Sequence, residues 1–129
     1  MTSVIYASLS AFLILWLSLN AIKKRRSNKV SIGDGGVDDL KLAIAAQSNA
    51  IEYIPIALIL LFALEYNHGN ILLIHLLGIS LIIGRVIHAK GLLSSNLKQR
   101  VLGMQITIYT IIGLAVVNFA YLPYAQFKL

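Results

Sequence analysis

The segment "NAIEYIP" (49–55) sets three polar side chains into an otherwise apolar stretch. Asn49, Glu52 and Tyr53 stand at i, i+3 and i+4, a spacing that gathers them on one face of a helix. A carboxylate within a membrane span costs about 2.5–3.5 kcal/mol on insertion scales, so it is expected to pair and to face protein or a watery cavity. The candidate partner is Arg85, with His88 one turn later on the same face. Such a set could recognise an ammonium or an arginine in a polar pocket. It could also be only an interhelical tie between Glu52 and Arg85. Gln47 and Ser48 point away from this face, and Pro55 removes a backbone bond just beyond it. Arg100 opens the last apolar stretch, where a basic residue either snorkels to the interface or acts chemically. The sequence has no cysteine, so any sulfur chemistry must come from a bound molecule.

The elements that must position these residues are long apolar helices. Of 129 residues, 58% are hydrophobic and 12% charged, with a mean hydropathy of +0.81. A soluble domain carries about a quarter charged residues. Runs without charge extend from Met1 to Ile22, Tyr53 to Leu64, Tyr66 to Gly84 and Val101 to Phe127. A bilayer core takes about 20 apolar residues per helix. The chain therefore reads as an all-α, integral membrane four-helix bundle in a single domain, 1–129, with helices at about 2–23, 39–64, 70–89 and 100–121. The first run has no basic residue before it and a basic cluster after it, so it is expected to be a retained helix and not a signal peptide. Gly33, Gly35 and Gly36 make the first loop turn-rich, with Asp34 capping its own backbone. Asp38 or Asp39 is expected to cap the second helix.

Ten of the eleven basic residues lie around the first and third loops, and only Lys128 falls on the other side. This asymmetry predicts loops 1 and 3 in the cytoplasm and both termini outside. Tyr6, Tyr66, Tyr121 and Tyr124 fall near the opposite interface, as aromatic belts do. The net charge of +6 and pI near 9.8 are those of topology determinants and anionic-lipid contacts, so no nucleic-acid partner is expected. His68 reads as a solvated turn residue, and His75 as a packed or interfacial histidine, because no second ligand has metal spacing. Gly78, Gly84, Gly103 and Gly113 read as helix-packing contacts. No Walker loop, HExxH helix or hydrolase triad is present.

The pattern "N-x-x-E-Y-x-P", here 49–55, together with "GRVIHAKG" (84–91) and four spans, resembles the membrane-associated proteins in eicosanoid and glutathione metabolism, the MAPEG family. With "GDGG" in loop 1 it is most similar to the short bacterial branch, and the similarity covers nearly the whole chain. The resemblance implies a homotrimer in the bacterial inner membrane, with glutathione sites between subunits that open to the cytoplasm. It implies glutathione as co-substrate, bound by Asn49, Glu52, Tyr53, Arg85 and His88. It also implies Arg100 near the thiolate-stabilising arginine, although Gln99 could take that place. Two departures stand out: Ala45 replaces a frequent arginine, and Leu92 a tyrosine.

The activity this resemblance implies is that of a membrane-bound, glutathione-dependent transferase or peroxidase acting on lipophilic electrophiles. Glu52 suits the glutathione ammonium, Arg85 and Lys41 suit its carboxylates, and Arg100 is the candidate catalytic residue, favouring the thiolate. The alternative is a non-catalytic trimeric scaffold that binds lipid or a small thiol, which Ala45 and Leu92 favour. A transporter fits less well, since the polar residues gather at one end.

Overall fold

The computed structural model describes residues 1–124; Lys128 lies outside the described residues. Four helices follow one another: α1 (Ser3–Asn28), α2 (Asp38–Tyr66), α3 (Ile71–Leu93) and α4 (Leu97–Ala120). All four are long and apolar enough to cross a membrane. Large apolar side chains such as Phe12, Trp16, Ile59, Ile83, Ile112 and Val116 point away from the protein. With buried residues confined to the helix–helix seams, this outward apolar surface is that of a chain solvated by lipid.

The helices run further toward the basic end than their apolar runs. α1 continues through "KKRRSN" and stops only at Lys29, which takes the left-handed conformation (φ 53°) and donates its N–H to the carbonyls of Arg25 and Arg26. Lysine and arginine are good helix formers and are favoured at the negative end of the helix dipole, so a basic cluster there extends the helix. Asp38 and Asp39 sit in the first turn of α2 and do not cap it; the N-cap is Val37, with no side-chain bond. They act on the helix dipole instead. Asn70 and Asn96 are the real caps, accepting from the N–H groups of Leu72 (2.8 Å) and Gln99 (3.2 Å). The glycine loop behaves as its composition requires: Gly33, Gly35 and Gly36 all have positive φ, and Asp34 Oδ1 accepts from Gly36 N–H at 2.8 Å.

α2 and α3 form the centre. α1 packs on both, α4 packs on both, and α1 and α4 do not touch. The tightest seam joins α3 to α4. A Cβ on Gly103 would strike the backbone of His88, one on Gly91 the backbone nitrogen of Arg100, and one on Gly84 would crowd Ile106 and Thr107, so these three glycines let the helix axes approach. Toward the tyrosine-rich end the core is built around Tyr6, Leu61, Leu64, Ile74, Leu81 and Leu114. Toward the basic end it is built around Leu17, Ala46, Ala50, Ile54, Ala89 and Leu92.

Candidate functional site

Arg85 is the side chain around which the basic half is organised. It projects from α3 between α2 and α4 and is only 1% exposed. Its Nη2 donates to Asn49 Oδ1 of α2 and reaches His88 Nδ1 at 3.1 Å, while Nη1 donates to Thr107 Oγ1 of α4 at 3.4 Å. The guanidinium carbon stands 5.7 Å from the centroid of the Tyr53 ring. Its charge is thus held by a carbonyl, a hydroxyl, an imidazole nitrogen and a π face. Nε has no partner among the described residues. Because arginine can only donate, His88 Nδ1 must accept, which puts the proton of the neutral ring on Nε2.

The expected pocket pairing of Glu52 with Arg85 does not occur: Glu52 is exposed, and among the described residues the only ion pair is Lys24–Asp39, at 3.6 Å. Helix geometry gives the reason. At about 100° per residue, Glu52 lies about 60° to one side of Asn49 and Tyr53 about 40° to the other. With Asn49 aimed at Arg85, Tyr53 turns inward and Glu52 outward. Glu52 falls on an exposed stripe with Ala45, Ser48, Ile56 and Ile59. Gln47 is also off the site, as its spacing implied, and donates to Ser18 Oγ of α1 at 3.0 Å.

Beside the Arg85 cluster, a cleft of about 560 Å³ lies between α2 and α4, bounded on α3 by His88 and Leu92. Ala45 and Asn49 line one wall, and Arg100, Met104 and Gln105 are on the other. Arg100 is exposed in the first turn of α4, so its guanidinium is available to a ligand while that of Arg85 is enclosed. Gln99 does not line the cleft. Of the residues singled out by sequence, the structure therefore brings Asn49, Tyr53, Arg85 and His88 into one cluster, sets Arg100 on the adjoining cleft and leaves Glu52 on the outer face.

Sequence reasoning does not find Thr107, nor the cleft position of Met104 and Gln105. The signal is there in part: Gly103, Thr107, Thr110 and Leu114 repeat at helical spacing, marking a narrow polar seam on α4. A larger hollow, about 940 Å³, lies at the opposite end among Met1, Thr2, Glu65, His68 and Tyr121. Its one carboxylate, Glu65, is already engaged by the N–H (3.1 Å) and hydroxyl (3.0 Å) of Ser3. Size alone does not make it the site.

The sequence model of the MAPEG family matches residues 3–120, almost the whole length of the four-helix bundle. The chain belongs to the MAPEG family. Two relatives, each called inner membrane protein YecN, come from Escherichia coli K12 and from E. coli O6:H1. Each is 36% identical over 124 residues, covering 96% of this chain and 95% of the relative. Within this MAPEG protein, the "NAIEYIP" segment is the part of α2 that meets Arg85, so the stretch that carries the family resemblance is also the one the cluster is built on.

Proposed function

We propose that this MAPEG protein is a homotrimeric, glutathione-dependent transferase or peroxidase of the bacterial inner membrane, with the basic end in the cytoplasm and both termini outside. The observation that carries the reading is the convergence of Asn49, His88 and the exposed Arg100 on one cleft at the basic end. The protein has no thiol of its own, so a cleft that offers a guanidinium to an anion suits a thiol brought by a ligand. A free thiol with a pKa near 8.5 is mostly protonated at neutral pH, and each unit by which Arg100 lowers it favours the thiolate by about 1.4 kcal/mol. The thiolate sulfur would then attack an electrophilic carbon of a lipophilic molecule arriving from the bilayer, forming a C–S bond as the leaving group departs with its electron pair.

Glu52 supports the trimer. A carboxylate halfway along an exposed span is costly unless protein covers it, and a second copy would bring it beside the bound ligand, where it suits the ammonium. Arg85 takes a different part from the one its type suggested. Enclosed as it is, it is a positioning residue that holds Asn49 and the Nε2–H tautomer of His88 toward the cleft.

A second reading is favoured by that same enclosure. Arg85 is satisfied within the chain by neutral partners, as in a structural tie, and Ala45 and Leu92 lack the side chains of the family pattern. This reading makes the protein a trimeric scaffold without turnover. Calorimetric titration of reduced glutathione into the detergent-purified protein separates the two. The enzyme requires saturable binding at millimolar glutathione or below, lost in Glu52→Gln. It also requires Arg100→Ala to stay trimeric while losing at least tenfold in turnover of a lipophilic aryl halide. No heat at millimolar glutathione, with Arg100→Ala silent and Glu52→Gln weakening assembly, would establish the scaffold instead.

A further inference from the structure

A separate hollow, about 400 Å³, lies where the loop after α1 folds back on the helix end. It is lined by Ile22, Arg25, Arg26, Lys29, Val30 and Ser31. Three cations converge there with no acid among them. The loop is held in place by Arg25 Nη1, which donates to the Gly33 carbonyl at 2.6 Å, and by Val30 N–H, which donates to the Arg25 carbonyl at 3.0 Å. The end of a helix carries about half a negative charge, which opposes an anion. Three full positive charges outweigh it, and the Lys24 carbonyl is already covered by Ser27 Oγ and Asn28 Nδ2.

The depth of this hollow follows from chain geometry. From Ser3 to Ile22 the helix is free of charge and spans about 30 Å, the thickness of the hydrocarbon core. Arg25 to Lys29 therefore lie about 5–10 Å beyond that boundary, at the level of lipid headgroups. Below them, Phe12, Leu15, Leu19 and Ile22 are all exposed and fall on the helix face that also carries Arg26. The stripe leads apolar surface directly to the cationic hollow. In the same loop Ile32 is 89% exposed, an apolar side chain at headgroup depth that suits contact with lipid.

We propose that this hollow is a binding site for the phosphate of an anionic phospholipid, with Arg25, Arg26 and Lys29 around the headgroup and an acyl chain lying along Phe12, Leu15, Leu19 and Ile22. The occupant is a lipid and not a free phosphate, because the hollow and the chain-length apolar stripe share Ile22 and Arg26 and so run into one another.

The one tryptophan of the sequence, Trp16, is half exposed on α1 about 15 Å below Arg26, within reach of bromine carried mid-chain on a bound lipid. Its fluorescence is measured in mixed micelles against dibrominated phosphatidylglycerol and dibrominated phosphatidylcholine. Quenching by the anionic lipid is expected to saturate at a several-fold lower mole fraction. In Arg26→Gln/Lys29→Gln the preference should fall by about fivefold for each cation removed, with quenching by phosphatidylcholine retained as proof of an intact fold. Equal quenching by the two lipids in the unaltered protein would overturn the proposal. So would an equal loss of preference in Lys90→Gln, which would mean a diffuse surface charge, or reversal by millimolar glycerol phosphate, which would mean a free-phosphate site.

Discussion

The two halves of the bundle treat their polar groups differently. Toward the tyrosine-rich end most of them pair off within the chain, with the buried Ser10 Oγ left over. Tyr6 hydroxyl and His75 Nδ1 meet at 2.6 Å, Glu65 takes both donors of Ser3, and Asn118 Nδ2 donates to the Leu60 and Leu114 carbonyls at 2.9 and 2.8 Å. Toward the basic end Arg85 is enclosed, but Glu52, Arg100 and Gln105 remain exposed. Polar groups inside a membrane are costly when unpaired. A half that satisfies most of its own serves the fold, and a half that leaves capable groups over has them free for the proposed ligand and partner subunit.

Four substitutions test that contrast. The largest effect is expected for Gly103→Ala, since its Cβ has no room against the His88 backbone. Overpacking of this kind costs roughly 1–3 kcal/mol and occasionally more, and it pries α4 from the α3 seam beside the cleft. Denaturant titration should register the loss, and glutathione binding should fall with it. Next comes Arg85→Lys, which keeps the charge but loses the planar fork that reaches Asn49, Thr107 and His88. The expected cost is about 1–3 kcal/mol, with glutathione affinity measured by calorimetry falling at least tenfold. An unchanged affinity would mean that the cluster does not position the cleft.

Tyr6→Phe leaves His75 Nδ1 without its partner at the other end. Stability should drop by about 1 kcal/mol, and glutathione binding should not change. A change in binding would break the division between the two halves. The smallest effect is expected for Gly113→Ala, where the new Cβ would sit 3.4 Å from Leu77 Cδ2. Contact there is ordinary and alanine favours the helix by up to about 1 kcal/mol, so the unfolding midpoint should hold or rise slightly.

The spans were legible because a charge-free apolar run of membrane length admits few other structures. Their ends were harder. "KKRRSN" has the composition of a loop, yet it is helical, because nothing in it breaks a helix and its charges suit a C-terminus. α3 passes through Gly91 for a reason that no local pattern carries: that glycine lies against the backbone of Arg100. At the site, residue types on one helix face identified the cluster, but "one face" is a broad arc. A rotation of about 100° separates Glu52 from Tyr53 and decides which is enclosed and which exposed. Thr107 became a partner of Arg85 only through the α3–α4 approach, a tertiary fact.

That approach also bears on how the chain reaches its folded state. α3 and α4 are joined by only three residues, 94–96, and short closures form quickly. Two of the groups that hold Arg85, His88 and Thr107, lie within this hairpin, whereas Asn49 arrives with α2. The hairpin thus carries part of the solvation for the charge it must bring into the bilayer, and Asn49 and Tyr53 of α2 complete it.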